Sequence, residues 1–194
     1  ALGTSALYSN TTGNYNVAVG NQALLSNTTA SYSTAVGYQA GYNSNSGYLT
    51  AIGYQAGVAN TSGSVNTFIG YSSGLANTTG QSNTFVGDRS AYNNTTGANN
   101  TALGALALQA NTTISGNTAV GYQSGFSNSS GRVTALGYYS LYGNTSGSDN
   151  HAFGFQALRN NTTGSYNSAF GNNCLYTNNG DSNCGFGVSA LFYN

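Results

Sequence analysis

Asp88, Asp149 and Asp181 are the only carboxylate side chains in this sequence, Arg89, Arg132 and Arg159 its only cations, and His151 its only imidazole. Glycoside hydrolysis needs two carboxyl groups flanking one bond, and these aspartates stand apart in loops or turns. A Ser/His/Asp nucleophile would depend on His151, which stands where most repeat units carry Thr and reads as a substitution within a ladder of equivalent residues. Cys174 and Cys184 alone are too few for a structural zinc site, which takes four ligands. No residue set here implies catalysis, a metal or a cofactor, so the sequence reads as a non-enzyme. Three cations against three anions also leave no basic footprint for nucleic acid or for an anionic membrane surface.

The elements that would position these residues repeat. Glycines recur at Gly3, Gly20, Gly37, Gly53, Gly70, Gly87, Gly104, Gly121, Gly137, Gly154, Gly171 and Gly187, a spacing of 17 residues, or 16 in three places. The residue before each of these anchors is Leu, Val, Ile or Phe in all twelve units, and the one before that is Ala in nine. Alternation along a strand puts these two columns on opposite faces. The expectation is that the aliphatic column points inward and the alanines line the outer surface. After the anchor, "YQAG" or "NQAL" reads as a second short strand. "NTTG", "NTSG" or "NSSG" then supplies turn chemistry, since Asn and Ser/Thr bond their own backbone and Gly accepts positive φ.

No apolar pattern of helical period persists. A 17-residue unit holds only about three or four inward side chains, too few to offset its own conformational entropy, so units must stack. The expected fold is all-β: residues 1–194 form one parallel β-solenoid, or β-roll, of about twelve 16- to 17-residue rungs. At a rung spacing of roughly 4.8 Å it would be a rod on the order of 55 Å long. Thr34, Thr50, Thr67, Thr84, Thr101, Thr118 and Thr134 would form a hydroxyl ladder, and Asn66, Asn83, Asn100 and Asn117 an amide ladder beside it. With 16 Tyr and 8 Phe at fixed periods, the chain reads as ordered despite its low charge. It begins in mid-motif, as a piece of a longer array would.

Three groups of residues are candidate sites. Asn10, Asn27, Asn60, Asn77, Asn94, Asn111, Asn128, Asn144 and Asn161 each open an N-x-S/T sequon at one loop position, which reads either as a row of glycans along one edge or as turn chemistry. Tyr38, Tyr54, Tyr71, Tyr122 and Tyr138 follow the anchor glycine and form a stripe that could stack on sugar rings or serve packing. Cys174 and Cys184 could close a disulfide across one rung, implying an oxidising, extracellular setting, or remain free thiols.

"NTAVG" at 117–121 and "TAVGYQAG" at 34–41 resemble the "SVAIG" repeats of trimeric autotransporter adhesin heads. They are similar also to the "NTAVGYQAL...NTTG" arrays of phage tail-fibre-like and surface-fibre proteins. The resemblance covers all twelve units, although these are longer than those of the adhesin heads, with the excess in the "NTTG" loop. It implies a left-handed β-roll, self-association as a homotrimer or an end-to-end filament, and a place outside the cell, at its surface or on a virion tail. The leading expectation is a structural segment of such a fibre, glycosylated if the sequons are used. An adhesin module binding surface glycans through the Tyr and Asn columns is the alternative, and ice binding through the Thr ladder a further one. Against ice binding stands the parity of Thr, which it shares with the aliphatic column expected to face inward.

Overall fold

The computed structural model describes residues 1–194, and its order follows from one short strand per repeat. Eleven strands, β1 (Val17–Val19), β2 (Thr34–Val36), β3 (Thr50–Ile52), β4 (Thr67–Ile69), β5 (Thr84–Val86), β6 (Thr101–Leu103), β7 (Thr118–Val120), β8 (Val133–Leu136), β9 (Asn150–Phe153), β10 (Ser168–Phe170) and β11 (Cys184–Phe186), pair in sequence order as one sheet. Every pairing is parallel and joins equivalent residues, as in Thr34↔Thr50, Ala35↔Ala51 and Val36↔Ile52. A bridge from Leu2 to Val19 extends the sheet into the first unit. The chain is a parallel β-solenoid with a spacing of about 17 residues, as its periodicity predicts, of about ten turns where about twelve rungs are expected.

The second strand expected after each anchor is absent; a run of turns takes its place. The Ala23 N–H donates to the Gly20 carbonyl at 3.3 Å and the Asn27 N–H to the Leu24 carbonyl at 3.2 Å, closing two consecutive turns. Gln22 and Leu24 take left-handed φ of 58° and 50°, and their counterparts do the same along the array. Each such residue costs about 1–2 kcal/mol. The conformation persists because it aims backbone groups along the axis: the Gln22 N–H reaches Thr4 O in the preceding rung at 2.8 Å, and the Leu24 N–H reaches Ala40 O in the following one at 3.0 Å.

The expected facing of the strand is inverted. Ala18, Ala35, Ala51, Ala102, Ala119 and their equivalents are fully buried, whereas Val19 and Ile52 are each 37% exposed. The interior is too narrow for a large side chain in every column. A unit with Leu24, Leu108, Leu141 or Leu158 in the fourth position after the anchor has Ala in the inward strand column. Phe68, which replaces that Ala, is flanked by a glycine at the fourth position of the preceding rung, Gly57, and of its own rung, Gly74, where a Cβ would fall 2.4 and 2.7 Å from its ring; Phe85 has Ala91 at that position of its own rung. A Cβ on Gly41 would likewise lie 2.9 Å from Leu49, and one on Gly125 3.1 Å from Leu108. Close packing makes one large apolar side chain per layer the rule.

Beside this thin apolar strip the core is amide. The Asn77 Nδ2 donates to Asn60 Oδ1, the Asn94 Nδ2 to Asn77 Oδ1 and the Asn111 Nδ2 to Asn94 Oδ1, each at 2.8 Å. A second ladder uses Asn66, Asn83, Asn100 and Asn117, whose Oδ1 atoms accept the backbone N–H of the next rung at 2.9 Å. That amide ladder is the one legible in the sequence.

Candidate functional site

Functional side chains must stand on the outer wall, because the inner one is closed. Eight of the nine sequon asparagines, all except Asn10, are buried at 0% exposure. The nitrogen that a glycan would occupy points into the core: Asn77 Nδ2 also donates to the Gly80 carbonyl at 3.0 Å, and Asn144 Nδ2 donates to Asn128 Oδ1 and Gly147 O, both at 2.8 Å. Glycans at these eight positions are incompatible with the folded array, so the turn reading accounts for them. Asn10 is half-buried, and its Nδ2 donates to Gly13 O at 3.0 Å. Exposed hydroxyls of the same loop include those of Thr12, Thr29, Thr79, Thr96, Thr113 and Thr163.

Cys174 and Cys184 stand as free thiols in this structure, the second of the two readings the sequence offers. Cys174 is buried among the inward column; Cys184 takes the threonine position of β11 and faces out. Between them Gly185 replaces the inward alanine, and a Cβ there would lie 2.6 Å from the Cys174 Sγ. Burial pushes the Cys174 thiol up from its ordinary pKa, the neighbouring Cys184 adding to the rise, while a backbone hydrogen bond at Phe170 opposes it.

On the outer wall the tyrosines stack on each other along the axis. Tyr38 and Tyr54 lie 5.3 Å apart, Tyr54 and Tyr71 5.1 Å, and Tyr122 and Tyr138 5.4 Å, all face to face. Both faces of Tyr54 are therefore covered, and a sugar ring could stack only at the end of a run. Tyr139 meets both Tyr122 and Tyr138 edge-on, and its hydrogen bond, followed by burial, raises the Tyr138 hydroxyl pKa. A second stack joins Tyr15, Tyr32 and Tyr48 at the entry to the strands, and Phe153, Phe170 and Phe186 form a third on the strand. Arg159 sits over the rings of Tyr139, Tyr142 and Tyr176.

The charged residues that sequence reasoning scattered into loops are partly gathered. Asp88 pairs with its neighbour Arg89 at 3.3 Å on an exposed surface. Arg132 and Asp149 pair at 2.9 Å, and together with His151, Thr134, Val133 and Gly116 they line the one hollow in the outer wall, of about 190 Å³. The sequence carried a signal for it: the column that holds Tyr15, Tyr32, Tyr48 and Tyr166 is glycine at 116, and the next unit is one residue short.

No family model matches this chain, and no curated protein or solved structure does. The functional reading therefore rests on the rod itself and on what its outer wall presents.

Proposed function

We propose that this chain is a shaft segment of an extracellular fibre or filament, at a cell surface or on a virion tail, whose rigid rod spaces or presents other elements. The observation that supports this most directly is the unbroken register of eleven parallel strands, each pairing residue for equivalent residue. Stacking of equivalent residues explains the composition. A charged column would place like charges about 4.8 Å apart in every rung, which is destabilising, whereas amides, hydroxyls and rings stack without that penalty. The outward aliphatic and tyrosine columns offer a face for lateral self-association.

In this reading, oriented material gives a reflection along the fibre axis at about 4.8 Å, and electron cryo-microscopy shows rods that associate end to end or side by side. Compact monomers at every concentration would overturn it.

An adhesin function remains the alternative, with the tyrosine stack ends as its contact surface. Ice binding gains from the inverted strand. Thr34, Thr50, Thr67 and Thr84 share the outer face with Val36, Ile52, Ile69 and Val86, so a hydroxyl column and an aliphatic column run side by side toward solvent. An ice-recrystallisation assay decides this reading: inhibition at micromolar protein that is lost when Thr67 and Thr84 become Lys supports it, and recrystallisation at the buffer rate rejects it.

A further inference from the structure

The chain spends three of its seven charged or imidazole side chains on one place, and that place is hollow. Gly116, two residues before β7, leaves a gap in a column that carries Tyr in four rungs and Asn99 and Arg132 in the rungs on either side. A Cβ built there meets nothing nearer than the Arg132 Cδ at 4.0 Å. Val133 in β8 supplies an apolar floor. Thr134 of β8 and His151 of β9 are paired in register and stand side by side on the outer face. Asp149 closes the remaining side, with its Oδ1 on Arg132 Nη2 at 2.9 Å and its Oδ2 accepting the Ser148 hydroxyl at 2.9 Å.

We propose that this hollow binds a single neutral monosaccharide unit through vicinal hydroxyls. Its lining is mixed in a way that selects against other small ligands. Arg132 donates, Asp149 accepts, and Thr134 and His151 can do either. An anion drawn to Arg132 would meet the Asp149 carboxylate, and a cation drawn to Asp149 would meet the guanidinium. A polyol has both donors and acceptors at each hydroxyl and satisfies the pair together. The volume, about 190 Å³, is roughly that of six water molecules, which suits one pyranose ring lying over Val133 with its hydroxyls toward the polar rim. So small and open a site gives affinity on the order of millimolar. This site is separate from the tyrosine stacks and does not depend on the fibre reading, because a single unassembled chain carries all of it.

The repeat supplies its own test variants. Tyr15, Tyr32, Tyr48 and Tyr166 occupy the Gly116 column with φ between 59° and 63°, so Gly116→Tyr fills the hollow with a residue the column already accepts. His151→Thr restores the residue that seven other rungs carry. The experiment is a titration of the isotope-labelled chain, followed by amide NMR, with the methyl glycosides of glucose, galactose, mannose and N-acetylglucosamine, and with acetate and choline as charged probes. At least one glycoside should shift the amides around Arg132, Thr134, Asp149 and His151. Gly116→Tyr should abolish the shift, Asp149→Asn should weaken binding tenfold or more, and His151→Thr about threefold. The proposal fails if no glycoside shifts these amides, if acetate or choline alone does, or if Gly116→Tyr binds as the parent does.

Discussion

Replacing Gly104 by alanine should remove about 3 kcal/mol or more of stability, on the order of the largest single-residue effects, and should divide the array into two independently melting blocks. Gly104 has φ of +133°, and a Cβ there would lie 2.5 Å from the Gly121 carbonyl oxygen and 2.7 Å from its carbon. Both are backbone atoms of the next rung, so no side-chain rotation relieves the clash. Relief requires the rungs to separate, which would break the hydrogen bonds from Gly121 N–H to Leu103 O at 2.8 Å and from Gln123 N–H to Ala105 O at 3.0 Å. In a quasi-one-dimensional fold each rung touches only its neighbours, so a break at one interface uncouples the two sides.

Gly116→Ala is the control. Its φ is +77° and its Cβ would meet open space, so only the left-handed penalty of about 1 kcal/mol applies. Urea denaturation followed by circular dichroism should show a small shift for Gly116→Ala and a broadened or biphasic transition for Gly104→Ala. Equal shifts would mean that conformation, and not the interlocked glycine column, sets the requirement.

These glycines were legible because they recur without exception, and the fold class followed from their spacing. The facing of the strand was not. An aliphatic column is ordinarily the buried one, and "T-A-V-G" invites Val inside. The interior is only as deep as one Ala plus one Leu, and the signal for that lay in the exchanges between columns: Phe68 stands between Gly57 and Gly74 and Phe85 beside Ala91, none of them a leucine. Reading the alanine column as size-restricted, rather than as a small outer stripe, would have placed it correctly. The sequons misled for a related reason. Their turn chemistry was visible, but the direction of the Asn side chain depends on left-handed Leu and Gln residues just upstream, such as Leu24 and Gln22, which carry no propensity for that conformation. The hollow was hidden because it joins Gly116, Arg132 and Asp149 from three successive rungs, and only the register of the stack brings them together.

The amide core makes the second large effect a chemical rather than a steric one. Asn94→Asp changes one heavy atom, from nitrogen to oxygen, in a fully buried side chain. The Asn94 Nδ2 donates to Asn77 Oδ1 at 2.8 Å and to Gly97 O at 3.0 Å, while its Oδ1 accepts from Asn111 Nδ2 at 2.8 Å. In the variant the first two contacts become acceptor against acceptor, and an ionised carboxylate sits where no cation is near. The loss at pH 7 should be about 3–5 kcal/mol. Asn93→Asp, at the exposed neighbouring position, should stay within about 0.5 kcal/mol of the parent.

The pH dependence identifies the cause. Burial raises the carboxyl pKa of the folded variant above its unfolded value of about 3.9. The folded state then binds the proton more tightly, so the variant is least impaired below about pH 4, where the protonated acid can donate to one of its two acceptors. Stability is lost as pH rises through the folded pKa. The parent chain has only three aspartates and one histidine to titrate across that range, so its own stability should change little and the difference is readable directly. Urea midpoints for parent and variant at pH 3 and pH 7 make the comparison. A loss that grows by about 2 kcal/mol or more between them places the asparagine ladder inside the core as a donor chain. An equal loss at both values would mean that the ladder's hydrogen bonds do not hold the rungs together.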